Sequence, residues 1–184
     1  MTQMLFATIA GLGKCYAEGV AGVSADSIAK NCAKYGRLYD WATAMGLSSS
    51  YNNLGFTASQ RQGICPDGWR IPNNSDWDKL FRYVDGTNGT SSLYNSSTAG
   101  SKLKTASGWN SGNGTDEFGF SALPSGYSSG NNSFLDVGKY GYWWSANQYN
   151  NSEAYYRYMS YASAYGNYLW EGKGYLYSVR CLKP

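Results

Sequence analysis

The sequence has no histidine at any of its 184 positions. This absence excludes the usual Ser-His and Cys-His catalytic pairs, histidine-ligated zinc, and acid–base chemistry by imidazole. Cysteine is limited to four residues, and their spacing does not match a zinc knuckle. We therefore predict no catalytic residue, no metal ion and no cofactor.

Charged residues are also few, at 15% of the chain, and the formal net charge is +3. No two Lys or Arg residues are adjacent, so the sequence lacks the basic run that is typical of nucleic-acid binding. We predict no nucleic-acid partner. Disorder would need more charge and fewer aromatic residues, and here 17% are aromatic.

Long hydrophobic runs are missing too. The N-terminal residues MTQMLFATIAGLGK have no basic start and are too short to span a membrane. We predict no signal peptide in this sequence and no direct membrane insertion. Information for secretion would then lie outside this sequence, or the protein would leave its cell by another route, for example within a virion.

Proline is scarce, with 4 residues, whereas glycine is abundant, with 23. This balance predicts many turns and short strands, and the length fits a single domain over residues 1–184. Within it we predict a strand and two helices in residues 1–85, a long loop region in 86–139, and Tyr-rich antiparallel strands in 140–184.

The first part shows helical periodicity twice. Residues 2–9 are predicted as a strand and residues 14–31 as a polar loop. Residues 32–45 place their apolar side chains on one helical face, which predicts the first helix. The second helix is predicted to have Asn74 or Ser75 as its N-cap and to end at Asp85-Gly86. Its buried stripe comprises Trp77, Leu80, Phe81 and Val84.

The last part alternates in the manner of strands, which we predict over residues 140–146, 154–161, 166–171 and 175–182. In the fourth strand, the face of Val179 and Cys181 is predicted to point to the core, and Leu176 to point outward. An outward Leu176 beside Tyr165, Tyr168 and Trp170 would form an exposed apolar patch, which usually marks a binding surface.

Tyrosine is the residue present in excess, and 11 of the 18 tyrosines lie in residues 140–181, mostly between Ser, Asn, Ala and Gly. Tyr and Trp supply rigid contact surface and Ser, Gly and Asn supply adaptable hydrogen bonding, as in antibody paratopes. An aromatic antiparallel sheet would have the same composition. Composition alone leaves both interpretations open.

The four cysteines, Cys15, Cys32, Cys65 and Cys181, allow three pairings. Their even number fits an oxidising compartment, and four buried free thiols are the alternative.

Six motifs in order resemble the Fibrobacter succinogenes major paralogous domain: KYGRLYDWATAM (34–45), GICPDGWRIPNNSDWDKL (63–80), GSKLKTASGWN (100–110), DEFGFSALPSGY (116–127), YGYWWSA (140–146) and YSVRC (177–181). The resemblance implies an α+β fold of the C-type lectin-like class. Two helices would pack on small antiparallel sheets with long ordered loops, and the N- and C-terminal strands would pair. It also implies the disulfides Cys15–Cys32 and Cys65–Cys181. The calcium-binding motifs of sugar-binding C-type lectins are missing from the sequence.

Residues 158–176 depart most from the family's usual sequence. Some C-type lectin-like proteins are diversified by retroelements that mutate adenines near the 3′ end of the gene, which converts Asn codons to Tyr, Ser, Ala, Gly, Asp or Leu. We hypothesise a diversified binding face made of Tyr158, Ser160, Ala162, Tyr165, Asn167, Tyr168, Trp170, Glu171 and Leu176. Trp170 does not fit the codon rule, and an ordinary Tyr-rich sheet is the alternative.

These observations favour a non-catalytic ligand-binding module, an adhesin or receptor-binding protein on a cell surface or virion. Its predicted partner is a surface protein or glycan of another cell, and the chain would belong to a larger surface or virion assembly. One alternative is an envelope-associated structural domain without a specific ligand. The other is a catalyst similar to the formylglycine-generating enzymes, which share the C-type lectin fold and use reactive cysteines.

Overall fold

A computed structural model describes residues 4–6, 11–57 and 60–184. These ranges form an α+β structure with short helices and a curled mixed sheet. The strands are β1 Met4–Phe6, β2 Lys14–Cys15, β3 Arg37–Leu38, β4 Ser125–Ser128, β5 Phe134–Val137, β6 Tyr140–Gln148, β7 Glu153–Ser160, β8 Gly166–Gly172 and β9 Arg180–Leu182. The helices are α1 Ala25–Tyr35, α2 Trp41–Ala44, α3 Asn74–Asp85 and α4 Ala99–Leu103, with a 3₁₀ helix at Ser49–Asn52.

The two ends of the chain lie side by side. Strand β1 pairs antiparallel with β9, with Leu5 opposite Cys181, which confirms the predicted pairing of the terminal strands. Of the predicted strand 2–9, residues 4–6 are observed and the others lie outside the described residues. Both disulfides implied by the resemblance are formed, Cys15–Cys32 and Cys65–Cys181.

The prediction of one helix over residues 32–45 is wrong, because this segment contains the end of one helix, a short strand and a second helix. Helix α1 starts earlier, where the Ser24 side chain accepts a hydrogen bond from the backbone N–H of Ser27. It ends at Gly36, whose φ of 75° suits glycine. Helix α2 is a separate element that Asp40 caps by accepting from the N–H of Thr43. Part of the predicted loop 14–31 is therefore helical.

Helix α3 confirms the second predicted helix with a one-residue shift at its start. Asn73 is the N-cap and forms a reciprocal capping box with Asp76. The helix ends at Gly86, which has a left-handed φ of 68°. Of the predicted stripe, Trp77, Phe81 and Val84 are buried and Leu80 is partly buried.

The main sheet has the strand order β5-β4-β6-β7-β8. Strands β4 and β6 run parallel and the other neighbours are antiparallel, so the sheet is mixed and larger than the small antiparallel sheets predicted. Successive side chains of a strand point to opposite faces. Trp143 and Trp144 therefore enter different hydrophobic cores, one around α3 and the other around α2 and Cys181.

The start of the predicted fourth C-terminal strand is also different. A strand is present only at Arg180–Leu182. Leu176 exchanges two backbone hydrogen bonds with Ser128, and Tyr177 does so with Tyr39. Because this segment passes between β4 and the residues after β3, both of its sides are covered. Leu176 is only 8% exposed, so the prediction that it points outward is wrong.

The region 86–139, predicted as a long loop, contains α4, β4 and β5. The Asp85 carboxylate holds its start by accepting hydrogen bonds from Ser96 and Thr98. Asn95 and Ser96 cover part of the edge of β8. Ser96 and Gly166 exchange two backbone hydrogen bonds, and the Asn95 side chain accepts from the N–H of Tyr168. In the described ranges, no helix has the length and apolar character needed to cross a membrane.

Candidate functional site

One face of the main sheet carries a cleft of about 540 Å³ that is lined mainly by tyrosine. We call it the tyrosine cleft. Its lining residues are Asp136, Lys139, Tyr140, Tyr142, Tyr156, Tyr158, Tyr161 and Leu169.

Strand pairing brings these residues together. Tyr142 on β6 lies directly opposite Tyr158 on β7, and Tyr156 lies opposite Leu169 on β8. Residues opposite one another in adjacent strands share a face of the sheet. Tyr140 and Tyr142, two positions apart on β6, stack with ring centroids 5.7 Å apart. The alternation of β6 and β7 thus builds an aromatic surface from residues far apart in sequence.

Rings behind the cleft hold its floor in place. Tyr177 stacks on Tyr142 with centroids 5.0 Å apart and an interplanar angle of 15°. Tyr177 also contacts Trp144 at 4.5 Å and Tyr156 at 4.9 Å. Tyr177 and Trp144 are buried. The mostly half-buried rings of the cleft therefore rest on a packed aromatic layer, which fixes their orientation before any ligand arrives.

The cleft keeps its phenols protonated. Burial, and to a smaller extent the negative charge of Asp136, raises the pKa of Tyr142 above its ordinary value. Burial likewise raises the pKa of Tyr158. The hydroxyl of Tyr142 donates to an oxygen of Asp136 at 3.4 Å. Near neutral pH the cleft thus presents neutral hydroxyl groups, each able to donate and accept hydrogen bonds.

Four of the nine predicted binding residues lie at or beside the cleft or in the turn next to it. Tyr158 lines the cleft, and Asn167 lies directly opposite it on β8. Ala162 and Tyr165 lie in the exposed turn between β7 and β8, where Tyr165 is 54% exposed. The turn and the cleft meet at Tyr161, which lines the cleft.

Three others are buried or peripheral. Ser160 is buried at the end of β7, where its side chain accepts from the N–H of Ala162. Glu171 lies on the same face of the sheet as Asn167. It is paired with Ala154 of β7, beyond the cleft. Leu176 is buried, as described above.

Tyr168 and Trp170 point to the opposite side of the sheet. There they join Tyr155 of β7 and a tyrosine directly after β6 in an aromatic strip consisting of Tyr149, Tyr155, Tyr168 and Trp170. Tyr149 stacks on Trp170 with centroids 4.5 Å apart, and Trp170 is 41% exposed. The structure therefore does not bring the nine predicted residues onto one surface, because alternate residues of β8 face opposite ways.

Of the cleft residues, sequence reasoning identified Tyr158 and missed Asp136, Lys139, Tyr140, Tyr142, Tyr156, Tyr161 and Leu169. The alternation in YGYWW could have identified Tyr140 and Tyr142, because it places them on one side of β6. Their position opposite β7 required the register of the two strands, which the sequence does not reveal.

Two buried lysines fix the loops around the sheet. The Lys173 ammonium group donates to the carbonyl oxygens of Leu54 and Asn151 and to the side-chain oxygen of Gln148, at 2.8–2.9 Å, and lies 3.3 Å from the oxygen of Tyr51. The Lys104 ammonium group donates to three backbone carbonyls at 2.6–3.0 Å. Burial lowers the pKa of both lysines. Within residues 4–6, 11–57 and 60–184, no group of three or more Cys, Asp or Glu side chains is placed to hold a metal ion.

Comparison with known proteins gives one match. The family model described as the Fibrobacter succinogenes major domain matches residues 7–183, which is all but the first six residues and the last. No curated protein and no solved structure gives a significant match.

Proposed function

The chain belongs to the Fibrobacter succinogenes major domain family, and from this premise we propose that it is a non-catalytic binding module. It engages a surface protein or glycan of another cell through the tyrosine cleft. It acts outside the cell, on a cell surface or virion, as part of a larger assembly.

The tyrosine cleft is the observation that carries this proposal. Its rings present aromatic faces and neutral hydroxyls, the chemistry that paratopes use for contact area and hydrogen bonding. The rings are already packed against Tyr177 and Trp144. Binding would then cost little side-chain ordering, which is the main benefit of a preorganised site.

A C-type lectin-like fold is part of the same proposal. The paired terminal strands, the helices α1 and α3, the long region between α3 and β6, and the disulfide Cys65–Cys181 support it.

Diversification of residues 158–176 is also proposed, for a smaller set than the sequence suggested. Tyr158, Ala162, Tyr165, Asn167, Tyr168, Trp170 and Glu171 retain exposed surface, so different side chains would fit there. Ser160 and Leu176 are buried and less suited to variation. The nucleotide sequence tests this idea. A nearby copy of the 140–181 coding segment, differing only where that copy has adenine and beside a reverse transcriptase gene, would support it, and no such copy would refute it.

Binding is tested with Tyr158→Ala on arrays of glycans and of bacterial surface proteins, with Tyr83→Ala as the control. Tyr83 is 60% exposed on α3 and outside the cleft. We expect a ligand bound by the wild type and by Tyr83→Ala but at least tenfold more weakly by Tyr158→Ala, since a hot-spot tyrosine contributes about 2 kcal/mol. Equal binding by folded Tyr158→Ala would refute a role for the cleft.

The two alternatives predict different results. An envelope-associated structural domain would bind nothing on these arrays. A catalyst of the formylglycine-generating type would need a free thiol at Cys181, whereas Cys181 is paired with Cys65. A titratable thiol in the native protein would favour that alternative.

A further inference from the structure

The side of the molecule formed by α3 carries a second cavity, separate from the tyrosine cleft. It has a volume of about 550 Å³, within the range of small-molecule sites. The residues around it come from the start and exposed side of α3, the segment 89–92, and Asn147 at the end of β6. Most of them carry amide or hydroxyl groups.

Arg82 is the charged group that distinguishes this cavity. It is 9% exposed and lines the cavity. One guanidinium nitrogen donates to the backbone and side-chain oxygens of Ser91, at 2.7 and 2.8 Å. The guanidinium also lies over the ring of Tyr94, 4.0 Å from its centroid. These contacts fix its position, but in the described part of the chain no carboxylate lies within 4 Å of it.

The other charged side chains that line the cavity, Asp78 and Lys79, leave it with a net positive charge. Asp78 lines it as well, but its carboxylate pairs with Arg157 at 2.9 Å and accepts from the N–H groups of Leu93 and Tyr94. Lys79 lies on the rim, exposed and three residues before Arg82 on the same side of α3. Two cations, Arg82 and Lys79, are therefore without a described acidic partner.

A nearly buried guanidinium is costly unless an anion or hydrogen-bond acceptor meets it. Ser91 accepts hydrogen bonds from Nη2 of Arg82, and Nη1 faces the backbone of Gly89 at the cavity wall. The side chains of Asn73, Asn74 and Asn147 contribute further amide groups to the lining. Fixed arginine donors recognise carboxylate and sulfate-like oxygens, and amides and hydroxyls recognise sugar hydroxyls.

We propose that this cavity binds an acidic sugar, with the carboxylate or sulfate group on Arg82 and Lys79 and the ring hydroxyls on the amide and hydroxyl groups of the lining. The site is independent of the tyrosine cleft, and either can exist without the other.

The test is a titration of the ¹⁵N-labelled protein, followed by NMR, with glucuronic acid, glucose 6-sulfate, glucose and inorganic sulfate at matched ionic strength. We expect saturable shifts of the Arg82 Nε–H signal and the 89–92 amides with the two acidic sugars, and affinity at least fivefold weaker for glucose. Comparable affinity for inorganic sulfate alone would show a general anion site and overturn the assignment to a sugar. No saturable shift with any probe would overturn the site.

Three variants separate binding from folding. Lys79→Gln removes a rim charge without touching the core and should weaken binding of the acidic sugars about fivefold or more, whereas Lys30→Gln, an exposed lysine of α1, should have no effect. Gly89→Ala keeps every charge, but its Cβ would overlap Nη1 of Arg82 and displace the guanidinium. Unchanged affinity in both Lys79→Gln and Gly89→Ala would contradict the proposal.

Discussion

Replacing Lys173 by Met removes one ammonium group and leaves a side chain of similar length. Its alkyl part can still pack against Trp41, over whose ring the ammonium now lies at 4.5 Å. What the variant loses are the donors to the oxygens of Leu54, Gln148 and Asn151. Leu54 lies in the loop after the 3₁₀ helix, whereas Gln148 and Asn151 lie at the end of β6 and in the turn that follows it. The ammonium joins these two regions to the turn after β8.

The expected destabilisation follows from those bonds. A hydrogen bond to a charged group contributes about 1.5–3 kcal/mol net. Three such bonds at the lower end, reduced by the desolvation cost that a buried ammonium no longer incurs, give a loss of about 3 kcal/mol. For a chain of this length each kcal/mol lowers Tm by about 2–4 °C, so Tm should fall by about 6–12 °C.

Urea unfolding followed by tryptophan fluorescence measures the change, with Lys30→Met as the matched control. Lys30 is exposed on α1, and its replacement should change the free energy of unfolding by less than about 0.5 kcal/mol. A Lys173→Met protein as stable as the control would refute the reasoning, because the ammonium group would then contribute nothing beyond its alkyl chain.

Two further predictions concern other buried groups. Arg157→Met should lower the free energy of unfolding by about 3–5 kcal/mol, since it leaves the buried carboxylate of Asp78 without its ion pair. Adding Asp78→Asn to this variant should recover part of the lost stability. If denaturant unfolding shows no recovery, this account is contradicted. Burial raises the pKa of Tyr142, Tyr156 and Tyr177, so their contribution to stability is complete below pH 10 and is lost above it. Each of these tyrosines should lower the free energy of unfolding by about 1.4 kcal/mol per pH unit above pH 10. Phenolate absorbance at 295 nm should rise together with unfolding, and full ionisation of every tyrosine in the folded protein would disprove this prediction.

Local signals in the sequence predicted some elements well. Helix α3 has a capping side chain, a reciprocal acid and a terminal glycine within its own segment, so no distant contact was needed to locate it. The segment 32–45 has equally regular apolar spacing, yet Gly36 and Asp40 divide it. Periodicity reports which residues are buried, and here the residues after Gly36 are buried by a short strand and a second helix instead of one continuous helix.

The candidate site was predictable in part, for a similar reason. Tyr158 was identified because the Tyr-rich composition is a property of its own segment. Its neighbours Tyr142 and Leu169 depend on the register of β6 and β8 against β7, and a shift of one residue would have exchanged the two faces. Leu176 was misassigned because the alternation rule assumes a continuous strand, and the chain crosses between elements at that residue.

The segment Asn95–Ser96 beside β8 affects how the molecule behaves at high concentration. Strands rich in tyrosine and poor in charge readily add to strands of other molecules when their edges are free, which leads to aggregation. Ser96 already occupies the backbone groups of Gly166, and Asn95 occupies the N–H of Tyr168, so only the short end of the strand can accept a new neighbour. The contact between Ser96 and Gly166 uses backbone atoms alone. The side chains of β8 after Gly166 can therefore change without exposing the edge that would make molecules of this protein associate with one another, whereas any side chain at Gly166 would overlap Ala99 and Phe81.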